Sequence, residues 1–162
     1  LHEKVRQALL KGSISDAEQA CHQNPSFLSF VLLQGISEID YGWSSVEKSI
    51  EDALSEQSSR LYRKVEYLNV IGNIAPMVGL LGTVVGMVFA FQQVATAPPG
   101  GAPAPDLAEG IYQALVTTVG GLIVAIPSLA AFAVFRNRID QFVAEAAYLS
   151  QHVFGPFRRK KK

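Results

Sequence analysis

Polar side chains are scarce in two long apolar stretches of this sequence, and they are the residues that could do chemistry there. The stretches cover residues 68–97 and 107–135, and neither contains a lysine, an arginine or a histidine. Threonine hydroxyls and glutamine amides can order water or bond to a carboxyl group, but they cannot store a proton at ordinary pH. We predict a shared polar lining made by Thr83, Gln113, Thr117 and Thr118.

Titratable groups are almost absent from the same two stretches. Between Asn69 and Phe135 the carboxylates are Asp106 and Glu109, which lie beside a proline-rich turn, and Tyr112 is the one other titratable residue. Phenols are poor proton carriers at neutral pH. The alternative for each threonine is a hydrogen bond back to a carbonyl group of its own helix, as threonines often form in membranes.

Both apolar stretches are long enough to cross a bilayer as helices. At about 1.5 Å of rise per residue, each can span a hydrocarbon core of about 30 Å. The segment between them, residues 98–106, is rich in proline and glycine and is predicted to be a turn. Lysine and arginine flank the stretches only on the sides away from this turn, so the positive-inside rule places the turn outside and both ends in the cytoplasm.

Small residues and prolines in the two stretches predict how the helices pack. Glycines allow close approach between membrane helices, and Gly82 and Gly86 form a GxxxG pair. A proline inside a helix removes one backbone hydrogen bond and can kink the helix. The packing positions predicted are Gly79, Gly82, Gly86, Gly120 and Gly121, and the predicted kinks are at Pro76 and Pro127.

The flanking sequences predict helices that continue outside the membrane. Residues 1–67 are expected to form a cytoplasmic helical segment, with capping boxes at Ser15 and Ser44 and a helix opened by Pro25. Residues 136–162 are expected to form a cytoplasmic helix that ends at Gly155 and Pro156 before a basic tail. The predicted fold class is therefore all-α: a polytopic membrane protein whose long helices extend into a cytoplasmic helical domain.

Several function classes are excluded by the residues that are present. No nucleophile and base pair or metal cluster is evident, so we predict no enzyme, no catalytic residue, no metal and no cofactor. One cysteine, Cys21, allows no internal disulfide. The basic tail at 158–162 is interpreted as a contact with anionic membrane lipid rather than with nucleic acid.

Two segments resemble the motifs of a known family, the ExbB/TolQ/MotA proton channels. Residues 75–87 (APMVGLLGTVVGM) are similar to its APxxGLxGTVxGM motif. Residues 110–127 (GIYQALVTTVGGLIVAIP) are similar to its GIxEALxxTxxGLxxAIP motif. The two motifs occur in the family's order around a short outer loop, and the resemblance extends over about residues 40–150.

The resemblance implies a homopentamer around single-span helices of an ExbD/TolR-like partner in the bacterial inner membrane. Proton flow would drive a motor that acts on a TonB-like or TolA-like transducer, for transport across the outer membrane or for envelope maintenance. The family's pore threonines correspond to Thr83 and Thr118, and its usual acidic residue is replaced by Gln113. ExbB/TolQ-type subunits have three spans, so the first span is expected to precede this sequence.

Because the chain's own spans hold no deep acid, we expect the titrating carboxyl group to be an intramembrane aspartate of the partner. Two alternatives stay open. One is a MotA-like flagellar stator subunit, which the placement of the cytoplasmic segment makes less favourable than an ExbB/TolQ-type subunit. The other is a passive membrane scaffold that only holds a single-span partner.

Overall fold

A computed structural model describes residues 2–98, 101 and 104–160 of the protein, without the side chains of residues 106 and 157–160. Residues 99, 100, 102 and 103 of the predicted turn at 98–106 and the basic side chains at 158–162 therefore lie outside the described residues. Five α-helices and one 3-10 turn follow each other, with no strand in the described ranges. They are α1 His2–Leu10, α2 Ile14–Gln23, α3 Phe27–Ser37, the turn Ile39–Tyr41, α4 Trp43–Ala95 and α5 Ala104–Lys160. The predicted all-α class is confirmed.

The starts of the short helices differ from the predicted ones because other residues cap them. The Ser13 side chain accepts a hydrogen bond from the backbone N–H of Asp16, so the predicted cap at Ser15 is wrong. Helix α3 begins at Phe27, two residues after the predicted first residue Pro25. Its cap is a reciprocal pair in which Ser26 and Ser29 each accept from the other's backbone N–H. This pair satisfies two of the N–H groups left free at a helix start.

The start of α4 also lies before its predicted capping box. Gly42 has a φ of 104°, a left-handed conformation that suits glycine, and its carbonyl accepts from the N–H of Val46 at 3.2 Å. The helix therefore begins at Trp43, and Ser44 is already inside it. From there α4 continues without a break through Pro76 to Ala95.

Residues 1–63 and 137–162 form one compact unit. Its centre is Phe154, which is fully buried although it lies near the C-terminal end of the chain. A methyl group on Gly35 would lie 2.8 Å from the Phe154 ring, so α3 needs a glycine there. The other core residues come from all parts of the unit: Val5, Leu9, Ala17, Cys21, Val31, Leu32, Ile36, Val46, Ile50, Ala53 and Val153.

The last helix does not end where the sequence suggested. Gly155 and Pro156 were predicted to terminate it, but α5 continues through both residues to Lys160. A proline inside a helix removes one hydrogen bond and does not by itself stop the helix. Here the residues just before it, Val153 and Phe154, are anchored in the core of the unit.

Residues 64–136 form the second compact unit, built from the later part of α4 and the earlier part of α5. The two helices are antiparallel, since Gly72 faces Leu129 while Gly86 faces Ala114. Both are long and apolar enough to cross a membrane, and only 11% and 6% of their most apolar windows are buried within the chain. The core helix of a soluble protein would be mostly buried, so this apolar surface fits lipid or other membrane helices.

Candidate ion pathway

Helices α4 and α5 approach closely because small residues face each other along the contact. A methyl group on Gly79 would lie 2.9 Å from the carbonyl oxygen of Thr117, and one on Gly86 would lie 2.8 Å from the Cβ atom of Ala114. Such distances leave no room for any side chain larger than hydrogen. The backbones therefore touch directly, and polar groups on one helix reach carbonyl groups on the other.

Three threonine hydroxyls converge on one backbone carbonyl, that of Gly79. The distances to its oxygen are 3.2 Å from Thr83, 3.1 Å from Thr117 and 3.3 Å from Thr118. Thr117 also donates to the carbonyl oxygen of Ala114 at 2.7 Å. Thr83 and Thr118 are hydrogen-bonded to each other across the two helices. The three predicted threonines therefore form one network that joins α4 to α5.

The network has two equivalent arrangements of hydrogen atoms. A carbonyl oxygen inside a helix accepts one backbone N–H and has one further lone pair, so Gly79 can take only one of the three hydroxyls. If Thr117 donates to Ala114, its shortest bond, then one of Thr83 and Thr118 donates to the other, which in turn donates to Gly79. The donor order can reverse without any atom heavier than hydrogen moving. In both orders the two hydrogen atoms are used and oxygen lone pairs stay free, so the pair can accept from an approaching donor and can donate to an acceptor when it releases Gly79.

Gln113 is not part of this network. Its Nε2 atom lies 3.3 Å from Oε1 of Glu109, one turn towards the outer loop. The two side chains border a groove between α4 and α5 together with Gln93, Gly86 and Ala90. The four residues predicted as one lining thus occupy two places: a threonine cluster and a separate Gln113–Glu109 pair.

The glycines and prolines also divide into distinct roles. Gly79, Gly82, Gly86 and Gly121 lie in the contact between α4 and α5, whereas Gly120 meets no atom within 4 Å and borders an open apolar groove. Pro76 and Pro127 both lie inside continuous helices.

Two glycines that sequence reasoning missed also belong to the contact. A methyl group on Gly72 would meet Leu129 at 2.5 Å, and one on Gly110 would meet Ala90 at 2.7 Å. The spacing contained a signal for the first, because Gly72, Gly79 and Gly86 recur every seven residues, which keeps them on one helix face.

The site holds little that could bind a metal or titrate. Across the described residues, no three histidine, cysteine or acidic side chains come close enough to hold a metal ion. The hydroxyl and carbonyl groups of the threonine cluster are neutral. The arrangement can therefore solvate a carboxyl group or a water molecule, and any ionisable group at that depth must be brought to it.

Comparisons with known proteins point to one family. The family model described as the MotA/TolQ/ExbB proton channel family matches residues 6–147. A biopolymer transport protein ExbB homolog of Methanothermobacter thermautotrophicus is 33% identical over 138 residues, which are 84% of this chain and 47% of the relative. Biopolymer transport protein exbB1 of Vibrio cholerae is 31% identical over 156 residues, which are 92% of this chain and 68% of the relative.

A third relative carries the other name within the same family. The Tol-Pal system protein TolQ of Pseudomonas aeruginosa is 33% identical over 98 residues, 60% of this chain and 42% of that protein. The chain thus spans between about two fifths and two thirds of the length of these three relatives. Since the family model covers most of the sequence, including the threonine cluster and the glycine contact, the chain belongs to the MotA/TolQ/ExbB proton channel family.

Proposed function

We propose that this protein is an ExbB/TolQ-type subunit of a motor driven by the proton-motive force in a bacterial inner membrane. In this proposal five copies surround two single-span helices of an ExbD/TolR-like partner, and proton flow through the complex acts on a TonB-like or TolA-like transducer. The work done serves transport across the outer membrane or maintenance of the envelope. The relatives named for ExbB and TolQ support this assignment.

The observation that carries the proposal is the reversible hydroxyl pair of Thr83 and Thr118. The pair can accept from a protonated carboxyl group through a free oxygen lone pair, and it can donate to an ionised carboxylate when the hydroxyl bonded to Gly79 turns away from that carbonyl. A partner's intramembrane aspartate would therefore be solvated in both of its protonation states. A scaffold that only holds a partner needs no group with this property.

The electrical driving force sets the scale of the work. Each proton that crosses supplies about 2.3 kcal/mol per 100 mV of membrane potential. A cluster of neutral groups suits this modest drive, because a fixed charge close by would trap the proton or exclude it.

The organisation of the other unit supports the proposed topology. Residues on both flanks of the apolar helices, such as Leu32 and Phe154, share one core. Two segments that fold together must lie on the same side of a bilayer. The positive flanks support a cytoplasmic location for that side.

The test replaces the hydroxyl pair while keeping its shape. In the complete complex with its single-span partner, a Thr83→Val, Thr118→Val double variant should lose proton flux by about tenfold or more, equivalent to about 1.4 kcal/mol or more in barrier height. The amount of partner that copurifies should stay unchanged. Thr96→Val is the matched control, because the Thr96 hydroxyl bonds only within its own helix end.

Two outcomes would contradict the proposal. Unchanged flux and unchanged energy-dependent function in the double variant would favour the passive scaffold. A native mass that shows a plain dimer, rather than five copies with two partner chains, would contradict the proposed assembly.

A further inference from the structure

A row of hydrogen-bonded polar side chains, called the ladder below, extends along α4 from its charged flank into the apolar span. It consists of Glu66, Asn69 and Asn73. Asn69 Nδ2 donates to Oε1 of Glu66 at 2.8 Å. Asn73 Nδ2 donates to Oδ1 of Asn69 at 2.8 Å and to the backbone carbonyl of Asn69 at 2.7 Å. Glu66 and Asn73 are seven residues apart, so the ladder rises by about 10 Å.

The orientation of each amide in the ladder is fixed by its neighbours. If the Asn69 amide were turned over, its oxygen would face the Glu66 carboxylate and its NH2 group would face that of Asn73, so both contacts would be repulsive. Three of the four amide N–H bonds are therefore used inside the ladder, and one N–H of Asn69 is left. The acceptors that remain are the Oδ1 atom of Asn73 and the second oxygen of Glu66, to which no described group donates.

These free acceptors lie on an exposed face. Asn73 and Glu66 are exposed within the chain, and Asn69 is half-buried. Lipid cannot donate a hydrogen bond to an amide oxygen at this depth, so lipid does not cover this face. Water can, and the Glu66 end of the ladder meets the charged flank of the span, where water is present.

The ladder also lies on the side of α4 that carries the Thr83–Thr118 pair. At 100° per residue, Asn69 is about 40° from Thr83 around the helix axis. Gly82, which borders the apolar groove, is about half a turn from Asn73. The ladder thus belongs to the polar side of the helix pair and not to the groove.

We propose that the ladder of Glu66, Asn69 and Asn73 holds a file of water through which protons leave the threonine cluster towards the cytoplasm. This inference rests on the proposed function and adds the inner half of the path. Its free groups are two acceptors and one N–H of Asn69, and such groups can order a file of water molecules. A proton passes from water to water by exchange of hydrogen bonds, and each proton that arrives at Glu66 is matched by one released to bulk water. The amides order the water and do not ionise.

The first experiment measures proton flux into proteoliposomes that contain the intact protein and its single-span partner. An Asn69→Leu, Asn73→Leu double variant should lower the flux by about tenfold. The single variant Asn73→Ser retains Asn69 and still has an acceptor at position 73. It should therefore keep most of the wild-type flux. Ser128→Ala is the control, because Ser128 bonds to the carbonyl of Val124 in its own helix, and it should leave the flux unchanged.

The second experiment asks directly whether water reaches the ladder in the assembled complex. In a Cys21→Ala background, Asn73→Cys should react with a charged, water-soluble thiosulfonate, whereas Ile74→Cys should not. The two positions have the same depth, and both are exposed in the single chain but on different faces of α4. The contrast therefore reports the surroundings in the complex rather than exposure in the chain.

The outcomes separate the two proposals. Normal proton flux in the Asn69→Leu, Asn73→Leu variant would contradict the proposed water file and would leave the proposed motor function unaffected. Failure of Asn73→Cys to react, or its crosslinking to the partner helix, also overturns it, because protein then covers the face. A wild-type complex that conducts no protons contradicts the proposed function, and the labelling still decides whether the ladder is wet.

Discussion

Gly79 and Gly121 face each other across α4 and α5, so that a methyl group on Gly121 would lie 3.1 Å from the Cα atom of Gly79. The same methyl group would lie 2.6 Å from the carbonyl oxygen of Ala75. Both neighbours are backbone atoms, which cannot turn away as a side chain can. The direct contact of the two backbones is what brings Thr83 and Thr118 within hydrogen-bonding distance.

Gly121→Ala should therefore force the helices apart and break the hydroxyl pair. Overpacking of this kind costs about 1–3 kcal/mol. We expect a lower thermal midpoint for the purified complex and a loss of proton flux. Gly120→Ala is the adjacent control, since Gly120 meets no atom within 4 Å and should be tolerated by the helix pair. Equal loss in both variants would contradict the assignment of the contact to Gly121 and would show that the groove beside Gly120 is covered in the assembly.

Phe154→Ala should unfold the unit formed by residues 1–63 and 137–162. The ring is fully buried, and removal of a buried phenylalanine costs about 3–5 kcal/mol. Hydrogen exchange should show loss of protection in α1–α3, although these helices are remote from Phe154 in sequence. Phe142→Ala is the control, because that side chain is 55% exposed and should have a small effect. Intact protection in the Phe154 variant would show that α1–α3 fold without the end of α5.

Two buried serines should respond to alanine in opposite ways. The Ser29 hydroxyl donates towards the carbonyls of Asn24 and Ser26, and its oxygen accepts from the N–H of Ser26. Ser29→Ala leaves these groups without a partner and should destabilise the unit by about 1–3 kcal/mol.

Ser150 is the contrasting position. Its hydroxyl is fully buried and has no hydrogen-bond partner among the described residues. Ser150→Ala removes an unsatisfied group, so we expect a neutral or stabilising effect of up to about 1 kcal/mol in chemical unfolding. A large loss of stability in this variant would mean that Ser150 bonds to a group that the single chain does not contain.

The thiol of Cys21 predicts a dependence of stability on alkaline pH. Burial raises the pKa of Cys21, and the nearby Glu18 carboxylate raises it further. The folded state thus holds the proton more tightly than the unfolded state. The contribution of this tighter proton binding to the free energy of unfolding is fully present below the pKa of the unfolded thiol. It is lost as pH rises through the pKa of the folded thiol. Unfolding followed from pH 7 to pH 10 should show a decline that is smaller in Cys21→Ala. Rapid alkylation of Cys21 in the folded protein at pH 8 would contradict its burial.

The two apolar helices and the threonines at their contact could be predicted from sequence because lipid imposes a simple rule. A long segment without charge must be a helix, and the few polar residues in it must find partners. That rule identified Thr83, Thr117 and Thr118. It could not show that Gln113 pairs with Glu109. Gln113 lies one helical turn from both Glu109 and Thr117, so its spacing fits a contact with either residue.

The first unit was harder to predict because its core joins distant parts of the chain. Helical spacing predicts that Phe27 and Leu32 face a core, but it does not show which residues pack against them. The capping errors at Ser15 and Ser44 have a local cause, since several serines compete to cap each helix start and tertiary packing decides between them. The ladder from Glu66 to Asn73 was not predicted, because the spacing of the three residues does not show which groups donate to which.

The burial of Phe154 against Gly35 also bears on how the protein is made. Helices α1–α3 precede both apolar helices in the chain, whereas the aromatic ring that completes their core follows both. A chain in which only one of the two apolar helices is inserted leaves Phe154 on the other side of the bilayer from Gly35. Such a chain keeps an open apolar cleft that quality-control proteases can recognise, so the fold itself checks that both helices were inserted.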